Sequence, residues 1–402
     1  MGFVRDQTGA AASGLLMRLF FPLLVFALPA LSPAPARAQF PGLSLPPSGN
    51  NQKAAVTQFI GPVKVTVEYS SPAVHGPDPD NPASPAPVDR RGRIWGKLVP
   101  YGLTDLGFGH RKPAPWRAGA NENTVFEVSH PVEIEGQPLP AGRYGLHMIA
   151  GPEEWTIILS REAHVWGSFF YEASQDALRV KVKPARHQYR EYLTYDFTER
   201  KPAEARVEMQ WEDLAVGWRI HVPKLNDVYL SRLRAELHDS PGFSWRAWVQ
   251  AVQFSLQNGG PPEEALEWAD YAIAAPFVGE ANFSTLSTKA QVLAKLGRAA
   301  EAETAIRAAV EHRSATPPQI HQYGRQLLAE GKIDRALEIF ELNHQRHGDV
   351  WPIHVGLARG YSAKGEKAKA LEHARRALAQ APDALNRKSL EDMVKTLSAA
   401  TP

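Results

Sequence analysis

The stretch that decides the fold is a hexapeptide that returns at a fixed interval: GRAAEA at 297–302, GKIDRA at 331–336 and GEKAKA at 365–370. Each copy begins with glycine and ends with alanine, and Gly297, Gly331 and Gly365 are 34 residues apart. A turn glycine followed by a small residue on the next helix, at this period, is typical of stacked helix pairs. Such arrays usually hold another chain, so this half of the protein indicates recognition rather than catalysis.

Helical periodicity extends on both sides of these turns and predicts a helical repeat domain over residues 243–402, preceded by a connector over 224–242. The predicted elements are Leu225–Leu237, Phe243–Gln257, Pro262–Ala275, three regular units starting near Phe283, Pro317 and Ile353, and a terminal capping helix from Asp383 to Ser398.

These units resemble tetratricopeptide repeats over residues 243–398. The last unit matches best, with Ala358, Tyr361, Gly365, Ala370, Ala374, Ala377 and Pro382 at that pattern's characteristic positions. The resemblance implies an all-α solenoid that binds a protein or peptide on its concave face. We assign partner binding to five residues on polar, partly basic helix faces: Tyr323, Arg325, Asn343, His347 and Tyr361. If they line a groove, they would suit an extended or acidic peptide, and the alternative is that these faces are merely solvated.

The first half of the chain reads as β-strands. In VKVTVEY at 63–69, apolar and polar residues alternate, which gives one buried and one solvated strand face. About nine short strands with Gly- and Pro-containing turns indicate an antiparallel β-sandwich or jelly roll over residues 55–223. The fold class is therefore α+β in two domains. The further predicted strands are Thr124–Ser129, Val132–Glu135, Arg143–Ile149, Trp155–Ser160, Ala177–Lys183, Tyr189–Phe197, Ala205–Trp211 and Val216–Val222.

The strand-rich half also resembles the domain of unknown function 2911 family, whose members are exported bacterial domains without an established activity. The resemblance covers residues 60–222 in one order. The matching stretches are IWGKLVPYG at 94–102, WRAGANENT at 116–124, LPAGRY at 139–144, EWTII at 154–158 and Trp166-Gly167 through LRVKV at 178–182.

An unusual polar cluster follows Trp116, where a glycine-bearing turn before a strand contains Arg117, Asn121, Glu122 and Asn123. A guanidinium, amides and a carboxylate around an exposed indole could bind a sugar or a carboxylated ligand. The alternative is an Arg117–Glu122 ion pair with Asn121 satisfying backbone groups in a tight turn. His147, in a predicted strand, is either a general base or ligand-binding residue, or an ordinary surface or core histidine.

The proline-rich insertion at 75–93 predicts an exposed loop or flap that ends in the basic residues Arg90, Arg91 and Arg93. Its Asp78, Asp80 and Asn81 lack the glycine and terminal glutamate of a calcium loop. The scattered histidines have no zinc-ligand spacing. We therefore assign no metal and no cofactor, and no nucleophile or nucleotide-binding motif is found.

The N-terminal 38 residues read as an export signal. Arg18 precedes the apolar run Leu19 to Ala30, and Ala36-Arg37-Ala38 is a small-x-small cleavage site. Met17 would make a more typical start than Met1. Residues 39–54 read as a flexible leader. We expect a periplasmic or secreted bacterial protein with no transmembrane span after signal removal.

The composition fits that expectation. There is no cysteine, which excludes disulfides and thiolate chemistry. The net charge of +2 gives no bulk attraction to nucleic acid. The leading interpretation is a recognition or scaffold protein, whose repeats bind a protein or peptide and whose strand-rich half binds an unidentified ligand. The alternative is a hydrolase or carbohydrate-active enzyme, with Arg117, Asn121, Glu122 and His147 around a cleft.

Overall fold

A computed structural model describes residues 51–81, 84 and 86–399. The predicted export signal (1–38) and most of the predicted leader (39–54) lie outside the described residues. The strands are β1 (Gln52–Ile60), β2 (Val63–Ser71), β3 (His75–Gly76), β4 (Val88–Asp89), β5 (Thr104–Asp105), β6 (Pro113–Ala114), β7 (Thr124–Val128), β8 (Val132–Ile134), β9 (Gln137–Leu139), β10 (Gly142–Ile149), β11 (Trp155–Ser160), β12 (Asp176–Val182), β13 (Ala185–Lys201) and β14 (Glu204–His221). The α-helices are α1 (Leu225–Leu237), α2 (Trp245–Gln257), α3 (Pro262–Ala274), α4 (Phe283–Lys295), α5 (Ala299–Glu311), α6 (Pro317–Ala329), α7 (Ile333–His347), α8 (Trp351–Lys364), α9 (Lys367–Ala379) and α10 (Ala384–Ala399).

Two antiparallel sheets make up most of the sheet-rich region. One has six strands in the order β1-β2-β7-β10-β11-β12, and the other has four in the order β13-β14-β8-β9. Apolar side chains of both sheets, such as Val67, Leu146 and Trp218, belong to one buried cluster. The sheets are open, so the coarser description of a sheet-rich region followed by a helical array holds, and the predicted sandwich or jelly roll is not confirmed.

Two details of the strand prediction are wrong. Strand β1 begins at Gln52, inside the predicted leader, because it pairs along its whole length with β2. The predicted strands Ala205–Trp211 and Val216–Val222 form the single strand β14. Glu212 begins the predicted gap between them, and the strand continues through it although its φ of 57° is unusual for a strand.

The insertion at 75–93 is closed at its base, where β3 pairs with β4. Arg90 is buried there, and its Nε and Nη2 atoms donate to the carbonyl oxygens of Val74 and Ala73. The prediction of an exposed basic cluster is therefore wrong for Arg90. Arg93 forms ion pairs with Asp78 and Asp80, so a guanidinium already neutralises the carboxylates that suggested calcium.

The helices pack in successive pairs, α2 with α3, α4 with α5, α6 with α7 and α8 with α9, and α10 packs on the last pair. Gly297, Gly331 and Gly365 lie in the turns inside three of the pairs, with φ of 75°, 75° and 85°. Glycine adopts this left-handed conformation at little cost, which explains its return at the 34-residue interval. The arrangement is that of tetratricopeptide-like repeats, as predicted.

The helical half contains one tightly enclosed aromatic ring, that of Phe340 on α7. Phe340 is fully buried, and Gly324 of α6 and Gly356 and Gly360 of α8 lie against its ring. A β-carbon added at Gly356 would lie 2.5 Å from Phe340 Cδ1. The three glycines therefore allow three helices to close around one side chain.

Helix α1 joins the two halves. Its Leu225 and Val228 pack against the core of the sheet-rich region, whereas Leu230 and Leu237 belong to the core that α2 and α3 build. The predicted connector thus contributes to two hydrophobic cores, through its N-terminal residues to one and through its later residues to the other.

A cleft of about 310 Å³, here called the repeat cleft, separates the pair α4–α5 from the pair α6–α7. Its apolar walls include Ala302, Ile306 and Leu327. Ala302 is half-buried, whereas the alanines in the same role, Ala265, Ala336 and Ala370, are fully buried. The stacking of the array is therefore looser at this junction than elsewhere.

The enclosure of Phe340 gives a test of the packing. Replacing Gly356 with alanine should raise helix propensity by about 1 kcal/mol, yet the clash with Phe340 should dominate and cost about 1–3 kcal/mol. Urea denaturation monitored by circular dichroism measures the change. In a double-mutant cycle, Phe340→Leu should remove most of the cost of Gly356→Ala. A neutral or stabilising Gly356→Ala variant would contradict the enclosure.

Candidate functional sites

Trp116 is half-buried and packs against the core of the sheet-rich region, so its indole is not freely exposed. Its backbone pairs with Met148, and its Nε1 atom donates to the Gly119 carbonyl oxygen at 3.1 Å. Its ring lies 6.1 Å from that of Trp95, 6.3 Å from that of Trp155 and 6.4 Å from that of Trp211. The predicted exposed platform is wrong, because these rings pack together in the centre of the sheet-rich region.

Arg117 is largely buried and has no acidic partner among the described residues. Its Nη1 atom donates to the Asn121 carbonyl oxygen at 2.6 Å, and its guanidinium lies over the Phe169 ring, 4.9 Å from the centroid. Burial lowers the pKa of this guanidinium. The Arg117–Glu122 ion pair, which was the alternative, is not formed in the described part of the chain.

The side chains of Asn121 and Glu122 form hydrogen bonds with residues other than Arg117. Asn121 has a φ of 58°, and its side chain exchanges hydrogen bonds of 3.4 Å with Asn51. The Glu122 carboxylate accepts a hydrogen bond of 3.2 Å from Ser70 Oγ. The turn therefore matches the structural interpretation for Asn121, and the Glu122 carboxylate faces β2 rather than Arg117.

His147 is buried on the face of β10 opposite the core residues Tyr144, Leu146 and Met148. Its Nδ1 atom lies 2.9 Å from Ser168 Oγ, and its ring lies 5.3 Å from that of Tyr171. Burial, followed by the nearby Arg117 charge, lowers the pKa of His147 to about 3. The imidazole is therefore neutral at pH 7 and is a poor general base.

The segment after β11 creates this environment, and the sequence analysis missed it. Ser168 is buried beside His147, and Gly167 lies directly against the Arg117 guanidinium. Of the five predicted residues in this region, Arg117 and His147 are brought together, whereas Glu122 bonds elsewhere. Trp166-Gly167 was a matching stretch of the family resemblance, and it was the available signal.

A second candidate site lies on the helical half, between α6, α8 and α10. This groove pocket has a volume of about 300 Å³. The residues that line it recur at helical spacing on one face of each helix: Pro318, His321, Gln322 and Arg325; Trp351, Pro352, Val355 and Arg359; and Asn386, Ser389, Leu390 and Met393. This lining contains no aspartate or glutamate.

The charges of the groove pocket are uncompensated. Neither Arg325 nor Arg359 has a carboxylate within ion-pair distance in the part of the chain that the structure describes. Burial and the Arg325 charge lower the pKa of Arg359. Burial, with the Arg359 and Arg325 charges, lowers the pKa of His321 to about 4, and its Nδ1 atom is buried without a hydrogen-bond partner. The pocket is therefore an electropositive site with unused donors.

The other predicted partner-binding residues lie outside the groove pocket. Tyr323 lines the repeat cleft. Asn343 is fully buried and donates to the Pro317 carbonyl oxygen at 3.0 Å, so its assignment to a partner surface is wrong. His347 is half-buried. Tyr361 donates to Glu341 at 3.0 Å and stacks on His373, so it connects helices.

Arg359 was missed by the sequence analysis although a signal was present. It follows Arg325 by the same 34-residue interval as the turn glycines, so the two arginines occupy the same place in consecutive units. Equivalent positions on the first helices of adjacent pairs face the same side of a repeat array. Repeat periodicity applied to charged residues would have found the pair.

No group of three His, Asp or Glu residues in the described ranges is arranged to hold a metal ion. None of the described helices has the length and apolar character needed to cross a membrane.

The fold and these sites define a sheet-rich domain joined to tetratricopeptide-like repeats. Residues 51–220 match the model of a family described as "Protein of unknown function (DUF2911)". This match confirms the resemblance of the sheet-rich region. No curated protein matches the sequence.

Several solved structures are similar to part of the chain. YrrB, described as a TPR protein with an unusual peptide-binding site, has 22% identity over 42% of this chain and 84% of its own, with a TM-score of 0.29. TTC0263, a thermophilic TPR protein of Thermus thermophilus, is 19% identical, and the match covers 44% of this chain and 91% of TTC0263, with a TM-score of 0.29. The type IV pilus biogenesis factor PilW is 19% identical, and the match covers 42% of this chain and 76% of PilW, with a TM-score of 0.32.

The buried His147 predicts a pH dependence of stability. Because its pKa is about 3 in the folded chain and about 6.5 when unfolded, the unfolded state binds the extra proton between these values. The contribution of neutral, buried His147 to the unfolding free energy is complete above about pH 6.5. Below that pH, we expect the unfolding free energy to decrease by up to about 1.4 kcal/mol per pH unit.

His147→Gln should flatten the dependence of unfolding free energy on pH between about pH 6.5 and 4. Urea denaturation followed by tryptophan fluorescence at fixed ionic strength measures it. His238→Gln, at an exposed histidine after α1, is the control and should keep the parent slope. An unchanged slope in the His147 variant would show that burial of this imidazole does not lower its pKa.

Proposed function

We propose that this protein is an exported recognition or scaffold protein whose repeats bind an extended acidic peptide in the groove pocket. The observation that carries the proposal is the pair Arg325 and Arg359, which face one pocket without an acidic partner in the described structure. The sheet-rich region supplies a second binding function, for a ligand other than the peptide.

The unpaired arginines favour an anionic partner. Burial and the nearby Arg325 charge disfavour the charged form of the Arg359 guanidinium, and a bound carboxylate would offset both effects and accept its hydrogen bonds. Asn386 and Gln322 add neutral polar groups to the walls, while Val355 and Met393 add apolar surface. This mixture suits a peptide in which acidic and apolar side chains alternate.

A binding role is better supported than the enzymatic alternative. General acid–base catalysis needs groups that can exchange protons near neutral pH and reach the same substrate atom. His147 is buried with a low pKa, and Glu122 bonds to Ser70 on another strand. The residues proposed for a hydrolase thus lack a shared set of contacts.

Export and sheet architecture are part of the same proposal. The charged start, apolar run and Ala36-Arg37-Ala38 site support secretion or periplasmic location, and the absence of cysteine is compatible with it. A core shared by the two sheets supports a sandwich-like arrangement of the sheet-rich region.

The test uses the full chain and a fluorescein-labelled hexaglutamate peptide with a free carboxyl terminus, with an amidated hexaglutamine peptide as the neutral comparison. Fluorescence anisotropy should show tighter binding of hexaglutamate, weakened by added salt. Arg325→Gln and Arg359→Gln should each raise the dissociation constant about tenfold, because each removes a charged hydrogen bond.

Arg375→Gln is the matched control, because this exposed arginine lies on α9 outside the groove pocket. It should leave the dissociation constant unchanged. Arg359→Gln should not lower the unfolding free energy, since it removes a repulsion rather than an ion pair. Equal binding of the two peptides, or full binding by the Arg325→Gln/Arg359→Gln double variant, would refute the proposal.

A further inference from the structure

A cleft of about 280 Å³ lies in the sheet-rich region beside the packed tryptophans and is here called the tryptophan cleft. It lies where β11, β13 and β14 come together. Its lining is Trp95, Tyr101, Gly151, Pro152, Trp155, Pro184, Ala185, Arg186, Asp213 and Leu214. None of the residues assigned to binding from the sequence lies in it.

Aromatic rings form one wall of this cleft. Tyr101 is 45% exposed, and its backbone is fixed by pairing with Ala150. Its ring lies over Gly96, where an added β-carbon would come within 2.8 Å of Tyr101 Cε2. An accessible tyrosine face held in this way is a platform on which an apolar ring face can stack.

Unused hydrogen-bond donors lie next to the platform. The indole Nε1 atoms of Trp95 and Trp155 are buried and have no hydrogen-bond partner, and Trp155 is only 1% exposed. Buried polar groups normally have a partner, so each exception calls for an explanation. Trp211 and Trp218 in the same core also have unpartnered Nε1 atoms but do not line the cleft, whereas Trp95 and Trp155 do, so an oxygen-rich ligand bound there would supply acceptors for these two alone.

The rim of the cleft carries no net charge. Arg186 and Asp213 form an ion pair across the paired strands β13 and β14. Their remaining atoms offer both donors and acceptors, but their charges cancel. The backbone next to them is strained, because the buried Glu212 has a φ of 57°, and such strain is often retained at ligand sites.

From this combination we propose that the tryptophan cleft binds a neutral carbohydrate, with one sugar ring stacked on Tyr101 and its hydroxyl groups bonded to Arg186 and Asp213. A sugar ring presents apolar C–H faces to an aromatic ring, and its hydroxyls both donate and accept. The cancelled rim charge disfavours an ionic ligand. This inference rests on the proposed ligand-binding role of the sheet-rich region and names its ligand class.

The experiment titrates the full chain with maltose, cellobiose, lactose and N,N′-diacetylchitobiose, using intrinsic tryptophan fluorescence and isothermal titration calorimetry. At least one disaccharide should bind saturably. Tyr101→Ala and Arg186→Ala, both at exposed positions, should weaken that binding roughly tenfold or more. Tyr192→Ala removes a comparably exposed tyrosine outside the cleft and should leave it unchanged.

The outcomes separate the two binding proposals. The Arg325→Gln/Arg359→Gln variant should retain carbohydrate binding, because its substitutions lie in the helical half. If none of the four disaccharides binds, or if Tyr101→Ala and Arg186→Ala bind as well as the parent, the carbohydrate inference is overturned. Hexaglutamate binding in the same preparation would then leave the peptide proposal standing.

Discussion

The two-sided burial of helix α1 is the constraint on which the rest of this structure depends. Leu225 and Val228 must remain in the core of the sheet-rich region while Leu230 and Leu237 remain in the helical core. Full burial contributes about 1.5–3 kcal/mol for each of Leu230 and Leu237, and the half-buried Leu225 and Val228 contribute part of that amount, so detaching either end of the helix lowers stability. Because the helix is rigid between its ends, it fixes where the first helix pair begins, and every later pair stacks on its predecessor.

In the helical half, the arginines of the groove pocket have a different charge environment from many other arginines on the surface. Several surface arginines there are paired locally, as Arg298 is with Glu301 and Arg335 with Glu338, while others, such as the exposed Arg375, have no ion pair among the described residues. Such exposed pairs contribute little stability but leave little net field. Arg325 and Arg359 differ because they face one concavity without a counter-charge in the described residues. Unpaired like charges in one pocket lower the stability of the folded chain. Such a cost is typical of functional sites, and for this reason we regard the groove pocket as functional.

Structural features that depend on neighbouring residues could be predicted from the sequence, whereas features that depend on contacts with residues far along the chain could not. The helix bounds follow from the helical period of the apolar residues, from the turn glycines and from prolines at helix starts, such as Pro262 and Pro317. Helices α1 and α4 begin at the predicted residues. The burial of His147 depends on a covering segment that includes Ser168, and Trp116 is enclosed by rings far away in sequence. The continuity of β14 through Glu212 depends on a backbone conformation that residue type alone does not indicate. Arg359 was predictable in principle, because it repeats Arg325 after 34 residues.

The half-buried Ala302 has a consequence for how the array comes apart. In stacked repeats, cooperativity is transmitted by contacts between neighbours, so a loose junction divides the array into blocks that open separately. The block from α6 to α10 contains the whole groove pocket and the enclosed Phe340, while the block before it is tied to the sheets through α1. We therefore expect the C-terminal block to open without the N-terminal block, whose amide hydrogens then remain protected from exchange.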